Sequence, residues 1–198
     1  METVTKTIYS ANAEEYPNLD VECKVVEDME AYANGLIEDM KQNGQKPGKA
    51  RKTAIVDARA GVLGEEVDTR VRVSVDDKLY FLSETKNIVK NGNSMIVTNP
   101  DGEQYIVKGE KFGTKYEKTE NEGKYRPLGG DIDYIIAPEN IVFQASWGEE
   151  MTALKGAALN VSDLKDIYAI QNTAFESTYT AKQSSMSQDK EESLENSK

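Results

Sequence analysis

The sequence predicts an α+β protein, predominantly β, built as two tandem small β-rich domains preceded by one amphipathic helix. Three observations predict it. Apolar residues recur at three- and four-residue spacing only between Asp20 and Gly44. Beyond Lys52, short runs rich in Val, Ile, Tyr and Phe alternate with Gly, Asn and Asp. The pattern of one such stretch then returns about 64 residues later.

Residues 1–19 are polar and mixed and are expected to form an N-terminal arm. Over 20–44, Val25, Val26, Met29, Tyr32, Ala33, Leu36, Ile37 and Met40 would lie on one helical face. Asp20 is the expected N-cap and Gly44 the expected C-cap. That face is expected to dock on the rest of the fold. The Gly/Pro/Lys segment Gln42 to Lys52 reads as a linker.

Strands are then expected at "TAIVDAR", "DTRVRVSV", "KLYFLSE", "SMIVTN" and "EQYIVKG", and again at "DIDYIIA", "NIVFQASW" and "ALNVS". These make a first β-rich domain over 50–119 and a second over 122–181. Residues 182–198, low in apolar side chains and rich in Ser and charge, read as a disordered tail.

The internal repeat sets Asn91 to Glu117 against Lys155 to Thr180. With one residue dropped in the turn, Gly92 meets Gly156, Val97 meets Val161 and Tyr105 meets Tyr168. Phe112 then meets Phe175, and Tyr116 meets Tyr179. Each unit reads as a strand, a polar turn, a returning strand that starts with Tyr, and a short helical turn. Phe and Tyr four residues apart would share one face of that turn.

Phe143 to Tyr179 carries a "SWG" turn, a Lys-Gly strand entry, a D-I-Y-x-I strand and a closing F-x-x-x-Y. In these features it resembles the small bacterial and phage domains named for a PGDYG motif, and Asn91 to Glu117 resembles them too. Where that family has Gly-Asp-Tyr, this chain has Gly156-Ala157-Ala158 and Gly92-Asn93-Ser94. The resemblance implies a compact β-rich domain in a phage or mobile-element setting, and no reaction. It also implies the host cytoplasm, or a virion, as the location.

Composition narrows the function classes. The chain has 198 residues, one Cys and no His, with a formal net charge of −11. Without His there is no Ser-His-Asp or Cys-His catalysis and no His-ligated zinc. A single cysteine, Cys23, excludes an internal disulfide framework and is expected to be a buried thiol. The acidic balance argues against direct binding of nucleic acid phosphates. No apolar run approaches the roughly 18 residues of a membrane helix. The first twenty residues lack the basic start and apolar stretch of a signal peptide, so a cytoplasmic location is expected.

Candidate sites are few. Asn99, Asp101 and Glu103 alternate in "IVTNPDGEQYIV" as calcium ligands might, but the corresponding turn has Lys165 among its acids. A hairpin turn is the better expectation. Carboxylate pairs such as Asp131 and Asp133 read as hydrated turns. Trp147, the only Trp, either caps the second domain or offers a stacking surface. Arg70, Arg72, Tyr80, Arg126 and Tyr134 are strand or strand-edge residues that could hold a nucleotide-type ligand.

The reading as a whole is a non-enzymatic binding or accessory protein without a cofactor. It is expected to act through protein–protein contacts, with homo-oligomerisation through a strand edge open. The alternatives are sequestration of a small nucleotide-type signal, or an acidic decoy of a nucleic-acid-binding host protein.

Overall fold

The computed structural model describes residues 2–182. It is predominantly β, with three helices and three sheets among the described residues. The residues expected to be disordered from 183 on lie outside the described part, and Lys182 closes the last strand.

The N-terminal third differs from expectation. Thr3–Ser10 forms β1 and Leu19–Val26 forms β2, an antiparallel pair, where a polar arm and the start of a helix are expected. Alternation explains this. In β2, Val21 and Cys23 are buried and alternate with exposed Asp20 and Glu22, a period of two that the helical spacing of the following residues masks. The helix α1 covers only Met29–Gln42, and its N-cap is Asp28, which accepts a hydrogen bond from the Ala31 N–H at 3.0 Å. Its apolar face docks as expected. Met29 and Ala33 are buried, and Tyr32, Leu36, Ile37 and Met40 pack beside them against Ile135, Ile141, Phe143 and Leu159.

The rest of the chain runs as β3 (Gly48–Lys52), β4 (Val56–Ala60), β5 (Glu66–Val75), β6 (Lys78–Ile88), β7 (Met95–Thr98), β8 (Gln104–Val107), α2 (Gly109–Lys115) and β9 (Tyr116–Lys118). It continues as β10 (Lys124–Pro127), β11 (Ile132–Ile136), β12 (Ile141–Gln144), β13 (Glu150–Ala153), β14 (Ala158–Asn160), β15 (Tyr168–Ile170), α3 (Asn172–Thr178) and β16 (Tyr179–Lys182). The segment expected to be a linker thus contains β3.

Two five-stranded sheets have orders β8-β7-β4-β10-β9 and β15-β14-β11-β3-β16. The orders correspond strand for strand when β3 is set against β10. β3 precedes β4 in the chain yet pairs with β11 and β16, and β10 precedes β11 yet pairs with β4 and β9. The two stretches therefore interlock by exchanging a strand. Ion pairs follow the same pattern: Lys49 meets Asp133 at 2.7 Å on one sheet, and Lys124 meets Asp57 on the other. Close approach requires Gly48 here, since a Cβ at that position would lie 2.6 Å from the Tyr134 ring.

The hairpin β5–β6 interrupts the first stretch and β12–β13 interrupts the second. Both hairpins leave their own sheets and flank β1–β2, giving a third sheet ordered β13-β12-β2-β1-β6-β5. The pairing of β12 with β2 is parallel. Cys23 is buried in this sheet's core with Ile8, Val73 and Val142.

The β7–β8 and β14–β15 hairpins also set a finer register. Tyr105 lies opposite Val97, and Tyr168 lies opposite Asn160. Both pairs are eight residues apart, so matching the tyrosines matches Val97 with Asn160. The dropped residue that aligned Val97 with Val161 is not needed in this register. The two aromatic steps have the expected geometry, with ring centroids 5.4 Å apart for Phe112 and Tyr116 and 5.5 Å for Phe175 and Tyr179.

Candidate functional site

A cavity of about 660 Å³ opens where the three sheets meet. β1 contributes Lys6 and Thr7, β6 contributes Leu82 and Ser83, and β13 contributes Glu150 to Thr152. Lys52 enters from the end of β3, Tyr105 from β8, and Thr178 and Tyr179 from the junction of α3 and β16. Asn99 and Glu103 come from the β7–β8 turn.

Lys52 is at the centre of its polar side. Its Nζ donates to the Tyr116 hydroxyl at 3.1 Å and to the Tyr105 hydroxyl at 3.4 Å. It also lies 5.5 Å and 5.8 Å from those two ring centroids, within cation–π range. The Tyr105 and Tyr116 hydroxyls are hydrogen-bonded to each other, and Tyr105 also donates to Asn99 Oδ1 at 3.4 Å. Among the described residues Lys52 has no carboxylate within ion-pair distance. By contrast Lys6, also on the lining, is paired with Glu150.

The sequence arranges this simply. Tyr179 opens β16 and faces Lys52 in the ladder, and Tyr116 opens β9 in the corresponding place on the other sheet. Strand exchange carries the end of β3 from one sheet to the tyrosines of the other. Burial, then the hydrogen bond to Tyr116, holds the Tyr105 phenol well above the ordinary phenol range. Burial, reinforced by Tyr168 and Tyr116, pushes Tyr179 up to about 12. The Tyr105 and Tyr179 hydroxyls are therefore neutral at physiological pH.

Glu103 supplies the opposite polarity. Burial, then the neighbouring Asp101 carboxylate, pushes it up to about 6, against the opposing pull of Arg72 and Lys52. It ends a tight turn in which Asn99 N–H donates to the Glu103 carbonyl at 2.8 Å and Gly102 N–H to the Asn99 carbonyl at 2.9 Å. Gly102 has φ +95°, a left-handed conformation that suits glycine. The Glu103 N–H donates to Asp101 Oδ1 at 2.9 Å, while Asp101 Oδ2 is buried without a partner. The hairpin turn expected here is what the structure contains. One of its acidic residues nevertheless faces the cavity.

The residues singled out from sequence are mostly dispersed. Trp147 is 54% exposed at the β12–β13 turn, its Nε1 donating to Glu149 at 3.2 Å, so it does not cap a core. Tyr80 is 5% exposed and packs edge-on against Tyr16. Tyr134 packs on Phe175 with centroids 4.9 Å apart. Arg126 pairs with Glu117 at 3.2 Å on the surface. Only Arg70 and Arg72 come together, each guanidinium over the Phe81 ring, 5.4 Å and 5.3 Å from its centroid. Arg70 is taken up by Glu84 at 3.3 Å, and Arg72, which does not line the cavity, favours the ionised form of Glu103.

Sequence reasoning missed Lys52, Tyr105 and Tyr179 as cavity residues, and Tyr116 as their hydrogen-bonding support. The signal that could have found them is the recurrence of Tyr at 105, 116, 168 and 179, where hydroxyls are retained and Phe would anchor the turn as well. Compared with known protein families, with curated proteins and with solved structures, the chain has no match in any of the three.

Proposed function

We propose that the protein is a non-enzymatic binding protein that holds a small anionic molecule in the cavity between its three sheets. The observation that carries this is Lys52, a cation on the cavity wall among tyrosine hydroxyls, with no carboxylate partner among the described residues. A partly buried cation without a carboxylate partner, flanked by hydroxyls, offers a bound anion charge-assisted contacts. The volume falls within the few hundred to about 1,000 Å³ usual for small-molecule sites.

This favours small-ligand sequestration over action through protein–protein contacts. The exposed aromatics among the described residues, Tyr9 and Trp147, stand singly in β1 and at the β12–β13 turn. An acidic decoy is disfavoured because Asp57, Asp131, Asp133, Glu65 and Glu117 are each interleaved with a Lys or Arg partner. The phage or mobile-element setting implied by the PGDYG resemblance suits a sequestering protein and stays part of this proposal.

Native mass spectrometry of the full chain purified from cells tests it. A retained small anion that is lost in the Lys52→Met variant is the expected result. Equal retention by both proteins, or none by either after incubation with a cell metabolite extract, overturns it.

A further inference from the structure

Glu103 gives the cavity a second recognition point. Its carboxylate oxygens have no hydrogen-bond donor among the described residues, although they line the same space as Lys52. An ionised carboxylate can accept on both oxygens, and a pair of adjacent N–H donors matches it in two parallel bonds. Glu103 closes the β7–β8 turn immediately before β8, two residues ahead of Tyr105, and both line the cavity. The Tyr105 hydroxyl then adjoins Lys52 at 3.4 Å. Lys52 and Glu103 are thus two opposite charges on the lining of one cavity.

That placement restricts what can satisfy both. An anion at Glu103 would be repelled, by Asp101 as well, so the negative end of a ligand belongs at Lys52. Lysine acts on phosphate as a point charge, and the Tyr105 hydroxyl lies beside it on the lining. The lining also offers apolar surface from Val71, Leu82 and Ile170. We infer that the cavity takes a nucleotide-class ligand, its phosphate at Lys52 and a ring edge with adjacent N–H donors, as in guanine, at Glu103. This rests on the reading of the cavity as a small-anion site. An amino acid would also present two poles, but it leaves the apolar wall uncovered.

Calorimetric titration and thermal shift of the full chain test this with guanosine 5′-monophosphate, guanosine, inorganic phosphate and arginine. The nucleotide is expected to bind at least ten-fold more tightly than any of the other three. Glu103→Gln is expected to weaken the nucleotide ten-fold or more and leave inorganic phosphate unchanged. Lys52→Met is expected to weaken both. Glutamine is isosteric, so the variant keeps the turn.

If the nucleotide binds no better than phosphate, or Glu103→Gln does not weaken it, the assignment of Glu103 is overturned while the anion site stands. Tighter binding of arginine overturns the nucleotide class. No binding of the nucleotide overturns this inference alone, since the mass-spectrometric experiment above decides the cavity's function independently.

Discussion

Lys52 Nζ donates to the Tyr116 hydroxyl at 3.1 Å, and the two residues belong to different sheets. Lys52 ends β3, which pairs with β11 and β16, whereas Tyr116 opens β9 beside β10. The contact exists because the two stretches exchange a strand. At the corresponding ladder position Pro127 faces Tyr116, as Lys52 faces Tyr179. The arrangement therefore places a cation at one of two related positions, and the cavity forms on that side.

Lys52→Met is expected to leave stability within about 1 kcal/mol of the parent. Methionine keeps the stem packed, and the lost hydrogen bonds are offset by no longer holding a partly buried charge. Urea denaturation without ligand measures this. A large loss would make Lys52 a structural strut rather than a binding group.

Gly48→Ala is expected to destabilise the protein by about 1–3 kcal/mol through overpacking. The added Cβ would meet the Tyr134 ring, whose Cζ lies 2.6 Å away, and that ring is held by Phe175. Because β3 joins the two stretches, the loss should appear as a lower midpoint of one cooperative transition. Far-ultraviolet circular dichroism in urea checks both points.

The sequence is informative where a period is clean and local. The β7–β8 hairpin, the Phe112–Tyr116 and Phe175–Tyr179 steps and the docking face of α1 all follow from short-range spacing. What it does not reveal is which strands pair across the chain. β3 is five residues in a Lys- and Gly-rich segment, and its strand character comes from the partners β11 and β16. Since Lys52 reaches Tyr105 and Tyr116 only through that exchange, the cavity was illegible too. Charge pattern misled in another way: Arg70 and Arg126 look available in sequence but are engaged by Glu84 and Glu117.

Part of the tyrosine complement should resist ionisation. Tyr105 is held well above the ordinary phenol range and Tyr179 is pushed up to about 12, mainly by burial. A phenolate absorbance titration to about pH 11, one unit above a free phenol, should leave these rings protonated. Tyr105→Phe and Tyr179→Phe should each shrink the resistant fraction. An unchanged fraction in both variants would show that these rings are not the shielded ones.

Glu103→Gln is expected to stabilise the unliganded protein at neutral pH and not at acid pH. The folded-state value, about 6, lies above the ordinary 4.5, so the native state holds this proton more tightly than the unfolded chain. The stabilisation from that proton is fully present below pH 4.5 and is lost as pH rises through about 6. At pH 7 the parent therefore carries a desolvated carboxylate beside Asp101, and glutamine removes it. The shift corresponds to about 1–2 kcal/mol, so the variant should be more stable by that order at pH 7 and equal to the parent near pH 4.5. Chemical denaturation at the two pH values measures the difference. A gain of the same size at both would place its origin in packing and not in the ionisation of Glu103.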